Sequence, residues 1–314
     1  MSGRPTVGER LAAAAVVGRA LGIRIPGRHP VAWRDVDLSG RAGVDAPVRG
    51  RLWVPAGAPA PAVLLAAGIT PQGPADPRVM RLADALARAG RVVFVPELAL
   101  SSHRLERADV ESLVGAVVAL DDDPRTRGTT AALGFSFGGS YALVAAADER
   151  AASRLGLVAA FGAYADLVSL LDVLREGEPG RRERVRAAVR SYASHEVTDE
   201  DRDTLERVLV GDGSVDDLPA VAVRLLGDLS PARVADRVVA PVALVHAVGD
   251  TVIPHAELGR LQMAFPAAWS ATVRLFTHVD FRPTPATARR VVTDVAAVWG
   301  LASRVLAAAR TPLG

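Results

Sequence analysis

The 314-residue sequence contains no cysteine. That absence removes disulfides, thiolate nucleophiles and cysteine-ligated metal sites together. Lysine is missing too, so all 37 strongly basic residues are arginine, set against 35 carboxylates and six histidines for a formal net charge of +2. The isoelectric point of about 9.6 therefore reflects missing buffers. Between neutrality and strong alkali only the α-amino group, partly charged histidines and three tyrosines titrate. Basic runs such as RRERVR at 181–186 are interleaved with acids, which is the pattern of a solvated helix face, and no nucleic-acid partner is expected.

Long hydrophobic runs are also lacking. Half the residues are apolar and the mean hydropathy is +0.22, but Ala and Val carry it, and no uninterrupted run reaches the roughly 18 residues a membrane helix needs. The expectation is a cytoplasmic globular protein with no stable membrane anchor, compatible with a homo-oligomer. The stretch GERLAAAAVVGRALGI at 8–23 has the apolar run of a weak signal peptide, and secretion is the alternative if residues 1–25 act as one. Arg19 interrupts the run, Glu9 stands where positive charge is wanted, and no convincing A-x-A cleavage site follows. The stretch reads instead as a surface helix that packs its Leu/Val side on the domain.

Two stretches of period-2 alternation, 31–38 and 48–55, predict an antiparallel pair at a sheet edge. From residue 61 the pattern changes to short continuous apolar runs separated by helix-length segments, the signature of strands buried on both faces. Strands are expected at 61–68, 91–98, 129–134, 154–162, 240–250 and 271–276. Helices are expected at 77–90, 105–120, just after residue 136, near 255–265, and at 285–308. Parallel strands with right-handed crossovers are the economical topology. The fold class is thus α/β, a mostly parallel doubly wound sheet of about eight strands.

Between 163 and 237 the strand rhythm stops, and the segment is helical in pattern, charge-rich and broken at EGEPG, GDGS and LSP. The domain reading is a lead-in at 1–30, a core of 31–162 and 238–314, and a helical cap or lid inserted at 163–237. Its apolar residues Leu167, Leu170, Leu171, Val173, Leu174 and Tyr192 are expected to pack on the core.

The stretch AALGFSFGGSYALV at 131–144 carries the chemistry. A serine between a buried strand and a helix must occupy a crowded turn. Small residues two positions away on either side, Gly134 and Gly138, let the backbone close around Ser136. The following helix aims its N–H groups and positive end at the reacting centre. A bare G-x-S-x-G is a weak signal; the apolar strand before it and the Ala/Val helix after it make it a nucleophile elbow.

With GFSFGG, HAVGDTVIP and THVDF in this order, residues 48–303 resemble the α/β-hydrolase superfamily, in particular its dienelactone-hydrolase-like and small-esterase branches. The resemblance implies the chain order nucleophile, acid, histidine. A hydroxyl needs a base within hydrogen-bond reach, and the base needs an orienting carboxylate. His29 and His103 precede the serine, His195 lies in the insertion, and His246 sits in an apolar strand, as a core histidine does. His255 follows Pro254 as a surface or helix-capping residue. His278, placed by the pattern at the carboxyl end of the last strand, is left as the base.

Asp250, just past PVALVHAVG, resembles the family's acid. The other reading of it is a solvated turn aspartate. Asp280 competes for the acid role, but two residues from His278 it is better placed to shape the loop. The resemblance puts the oxyanion hole at the backbone N–H of Phe137 and of Ile69, with Thr70 as an alternative, although Ala67-Gly68 stands where relatives carry His-Gly.

No metal or cofactor is expected. DDDPR at 121–125 is too contiguous for a calcium loop, GDGS lacks EF-hand spacing, and no nucleotide-binding glycine motif follows a strand. The implied activity is cleavage of small carboxylic esters through an acyl-enzyme. The alternatives are a prolyl-peptidase-like or other acyl hydrolase, and a non-catalytic binding protein on the same fold.

Overall fold

The computed structural model describes residues 5–27, 29–175, 198–210, 212–281 and 291–309. Eight strands form the main sheet: β1 (Val31–Asp37), β2 (Arg49–Pro55), β3 (Ala62–Ala66), β4 (Val92–Pro96), β5 (Thr130–Phe135), β6 (Leu155–Phe161), β7 (Val242–Ala247) and β8 (Trp269–Val273). Their spatial order is β1-β2-β4-β3-β5-β6-β7-β8. β1 pairs antiparallel with β2 and β2 with β4, while every pair from β4 to β8 is parallel. The outer edge strand β1 is polar, with Arg49–Asp37 and Arg51–Asp35 ion pairs and Arg51 stacked on Trp33, a pattern that discourages pairing with another chain.

All residues of β3 and β4 are buried, because helices cover both faces of the sheet. Alternate residues serve different layers. Ala62, Leu64 and Ala66 join one core with α3 (Arg107–Asp121) and α4 (Phe137–Ala145), while Val63 and Leu65 join another with α1 (Val7–Ala20), α2 (Pro77–Arg88) and α10 (Val291–Ala308). Asp76 caps α2, its side chain accepting from Arg78 N–H, and Pro77 opens the helix where a missing N–H costs nothing.

α1 packs on α2 and α10, where Trp299 Nε1–H donates to Arg10 O at 2.7 Å. It buries Ala13, Val16 and Val17, whereas Val7 and Leu11 point outward, so its inner side is smaller than the Leu/Val side expected from sequence. α10 is long and apolar enough to cross a membrane by length and composition. Its Leu301, Val305 and Leu306 are packed on the sheet. Residues 285–290 of the expected helix lie outside the described residues.

Between β6 and β7 the described residues form α6 (Leu167–Arg175), α7 (Asp199–Val210) and α8 (Ala220–Asp228) and contribute no strand. Leu167, Leu170 and Leu171 are buried in the same core as α3 and α4. Tyr164 O–H donates to Leu229 O, and Ala232 N–H to Ala165 O, both at 2.9 Å, so the insertion's base is stitched to the core. Tyr192 and the side chains of Val173 and Leu174 lie outside the described residues.

The last core strand departs from its expected span. β8 ends at Val273, because the next two N–H groups, of Arg274 and Leu275, donate to the buried carboxylate of Asp294 in α10. The chain then forms a separate two-stranded hairpin of β9 (Phe276–Thr277) and β10 (Asp280–Phe281). α5 (Glu149–Ala152) and α9 (Ala256–Ala264) complete the described helices.

Candidate active site

Ser136 lies between the last residue of β5 and the first of α4, with φ 53° and ψ −130°. A non-glycine residue at positive φ is strained, and the surroundings must hold it there. Ser136 N–H donates to Phe161 O at 2.8 Å, and its carbonyl accepts from Gly139 N–H at 2.9 Å. The flanking glycines are required by close approach. A Cβ on Gly134 would stand 2.5 Å from Gly138 O, and one on Gly138 would stand 2.3 Å from Ala67 O.

His278 occupies the turn of the β9–β10 hairpin at φ 60°. It is not at the end of a core strand, the place the sequence pattern assigns it, since Asp294 stops β8 early. Its Nδ1 lies 2.7 Å from Asp250 Oδ2. Asp250 follows β7 and is wholly buried at the side chain. Its Oδ1 accepts from Val252 N–H at 2.7 Å and Ile253 N–H at 2.8 Å, and its Oδ2 lies 3.4 Å from His246 Nε2. Burial pushes this carboxyl group's pKa up, but hydrogen bonds from His246, His278 and Val252 outweigh it and hold the group below the usual carboxylate range. An ionised carboxylate only accepts, so Nδ1 of His278 carries the proton in this contact, and Nε2 is the nitrogen left to face away from Asp250.

His246 is the buried, hydrogen-bonded core histidine expected, with Nε2 3.0 Å from Ile253 O. Its second contact, to Asp250, escaped the sequence reading, though the H-x-x-x-D spacing was its signal. His255 stands at the N-cap position of α9, the helix start expected of it, but its side chain makes no capping hydrogen bond; its ring meets His246 edge-on with centroids 5.8 Å apart, and its Nε2 is buried with no hydrogen-bond partner among the described residues. Burial and the neighbouring His246 and Arg274 push its pKa down. Asp280 bonds to Arg78 Nη1 at 2.7 Å.

The elbow and the imidazole–carboxylate pair meet at one peptide. Phe161 O anchors Ser136 N–H, and the next residue, Gly162, faces the pair so closely that a Cβ there would lie 3.3 Å from His278 Nδ1 and 3.4 Å from Asp250 Oδ2. On the other side, a Cβ on Gly68 would lie 2.8 Å from Ser136 Cβ. Among the described residues no hydrogen bond joins the Ser136 hydroxyl to His278. The N–H groups of Phe137, Ile69 and Thr70 have no acceptor among the described residues. Thr70 Oγ1–H is committed to Asp76 Oδ2 at 2.7 Å.

No protein-family model and no curated protein matches this sequence. Solved structures do. The chain is similar to acylaminoacyl peptidase of Pyrococcus horikoshii at 15% identity and TM-score 0.54, covering 87% of this chain but 40% of that one. It is similar to the α/β hydrolase GrgF of Penicillium sp. sh18 at 16% identity and TM-score 0.53, over 86% of this chain and 99% of that one. A third similarity, to esterase B of Lactobacillus rhamnosis, has 14% identity and TM-score 0.55, over 95% and 97% of the two chains. With the mostly parallel eight-stranded sheet and helices on both its faces, these likenesses assign the chain to the α/β-hydrolase fold.

Proposed function

We propose that the protein is a serine hydrolase that cleaves small carboxylic esters. Ser136 is the nucleophile on the Gly134–Gly138 elbow, His278 the general base and acid, Asp250 the orienting carboxylate, and the N–H groups of Phe137 and Ile69 the oxyanion hole. The observation that carries this reading is the His278–Asp250 pair at 2.7 Å, bordering the same Phe161–Gly162 peptide that fixes the strained serine.

The steps follow from the protonation states. Ser136 Oγ attacks the ester carbonyl while its proton passes to Nε2 of His278, and the resulting imidazolium is stabilised by ionised Asp250. The carbonyl oxygen becomes an oxyanion, and the two unpaired N–H groups are free to bind it, one of them at the positive end of α4. Collapse breaks the C–O bond to the alcohol, which leaves with the proton from His278. Water, activated by the same imidazole, then attacks the acyl-enzyme and frees the acid and Ser136. The described helices between β6 and β7, α6 to α8, leave the core directly after Gly162, beside the pair, and are proposed to bound the substrate as a lid.

A fluorophosphonate probe, which captures activated serines, tests the reading. The protein is expected to label, and Ser136→Ala to abolish labelling. Turnover of a p-nitrophenyl ester series without turnover of p-nitroanilides supports an esterase. The reverse preference makes the protein a peptidase. A folded protein that neither labels nor hydrolyses either series refutes a hydrolase.

A further inference from the structure

The proposed reacting groups sit on loops that no strand pairing joins. Ile69 follows β3, while His278 rides on a hairpin outside the main sheet. One side chain links the two. Arg78, in the first turn of α2, places Nε 3.0 Å from Asp76 Oδ1 and Nη2 2.6 Å from Asp76 Oδ2, and turns Nη1 toward Asp280 Oδ1 at 2.7 Å. Asp76 is buried and also accepts from Thr70 Oγ1–H at 2.7 Å. A continuous chain of Thr70, Asp76, Arg78 and Asp280 therefore runs from the residue after Ile69 to the second residue after His278.

The chemistry of the link is specific to arginine. A planar guanidinium grips one carboxylate bidentately and still has an N–H aimed at a second, which an ammonium cannot do with the same fixed geometry. Burial works against ionisation of Asp76, but the Arg78 fork, with help from Thr70, holds its carboxyl well below the usual range. That end is the anchor. The other end is open: the Arg78 and Asp280 side chains are 50% and 40% exposed, and an exposed pair adds little to global stability. A contact that does little for folding but ties the histidine hairpin to the loop of the oxyanion donor acts on geometry.

We infer that Arg78 is a positioning residue for catalysis, setting the His278 hairpin against the Ile69 loop; the inference rests on the hydrolase reading above. Small displacements of reacting groups cost large factors in rate. Arg78→Met is therefore expected to lower kcat on p-nitrophenyl butyrate about tenfold or more, with KM within about threefold of wild type.

Arg78→Met also strips a partner from buried Asp76, so Asp280→Asn provides the second variant, leaving the Asp76 fork intact. It is expected to lower kcat about threefold or more with an unchanged melting temperature. The double variant should be no slower than Arg78→Met alone, because both changes cut one link. Wild-type kcat in Asp280→Asn, or a loss of kcat there that tracks a fall in melting temperature, overturns the inference while Ser136 labelling stands. Absence of labelling and turnover in the wild type overturns the hydrolase reading and this inference together.

Discussion

Replacing Gly138 by alanine adds one methyl group where the backbone of β3 and its exit already stands. The new Cβ would lie 2.3 Å from Ala67 O, 2.6 Å from Ala66 O and 2.7 Å from Ala67 C. None of these atoms belongs to a side chain that could swing aside, so α4 or the loop leading to Ile69 must move. Overpacking of this kind costs about 1–3 kcal/mol, and rigid backbone neighbours put Gly138 at the upper end. Glycine-to-alanine exchange inside a helix returns about 0.5–1 kcal/mol, leaving a net loss of about 2 kcal/mol. Gly259 is the internal control, because it lies in the middle of α9 with nothing within 4 Å of its added Cβ. Gly259→Ala should gain about 0.5–1 kcal/mol. Urea unfolding followed by circular dichroism reads both signs, and the rate of fluorophosphonate labelling reads the elbow. The expected pair is a destabilised Gly138→Ala that labels about 100-fold more slowly or worse, and a slightly stabilised Gly259→Ala that labels normally. A Gly138→Ala protein with wild-type midpoint and labelling rate would show that the close approach of α4 to β3 has no bearing on the elbow.

Asp250→Asn should lower kcat by about three orders of magnitude or more, since an amide in place of the carboxylate no longer selects the Nδ1–H tautomer of His278 or stabilises its cation. Because the folded-state pKa of Asp250 is held below its unfolded value, its ionisation stabilises the protein above about pH 4, and this contribution is lost as pH falls through the folded value. The variant should accordingly be less stable at neutral pH and lose less on acidification, as melting temperatures at pH 7 and pH 3 would show. Asp109 has the opposite sign. Burial pushes its pKa up to about 7, although Ala99 and Leu100 N–H groups bond to the carboxylate. Between about pH 4 and 7 the unfolded chain releases a proton that the folded one keeps, so stability falls as pH rises, by about 2–3 kcal/mol from pH 5 to pH 8. Asp109→Asn should remove most of that slope in urea midpoints, and an unchanged slope would place the titration elsewhere.

What the sequence made legible was whatever one segment decides alone. The runs that became β3, β4 and β6 are apolar at almost every position because both faces are covered, and continuous apolarity needs no partner to be recognised. The elbow glycines were legible for the same local reason. Contacts between distant segments left no such trace. β8 stops at Val273 because Asp294, about 20 residues on, takes the next two N–H groups, and periodicity carries no record of that competition. His278 was thereby displaced from a strand end to a hairpin turn. His246 read as core because it sits in an apolar strand, yet the backbone turn after β7 brings Asp250 back to within 3.4 Å of its ring. The link from Arg78 to Asp280 spans 202 residues, beyond any local pattern.

The meeting place of these groups follows from how the sheet is wound. β3 connects to β4 over the face covered by α2, and β4 returns past β3 to β5 over the face covered by α3. β3 and β5 are therefore neighbours whose outgoing chains leave in opposite directions over opposite faces, the switch in strand order at whose carboxyl ends open α/β sheets place their ligands. The exit of β3 carries Gly68 and Ile69 and the exit of β5 carries Ser136, and the two run so close that a Cβ on Gly68 would lie 2.8 Å from Ser136 Cβ. The N–H groups of Ile69 and Phe137 thus come from two diverging segments, which no single turn supplies. The exits of β5, β6 and β7 all lead to helices in the α4 layer, so a serine at the end of β6 would have both neighbouring connections on its own side and no diverging segment beside it. The sheet order thus favours the end of β5 as the place of the proposed nucleophile. Turning at once from β5 into a helix packed on β3 then imposes the positive φ of Ser136 and the glycine at 138.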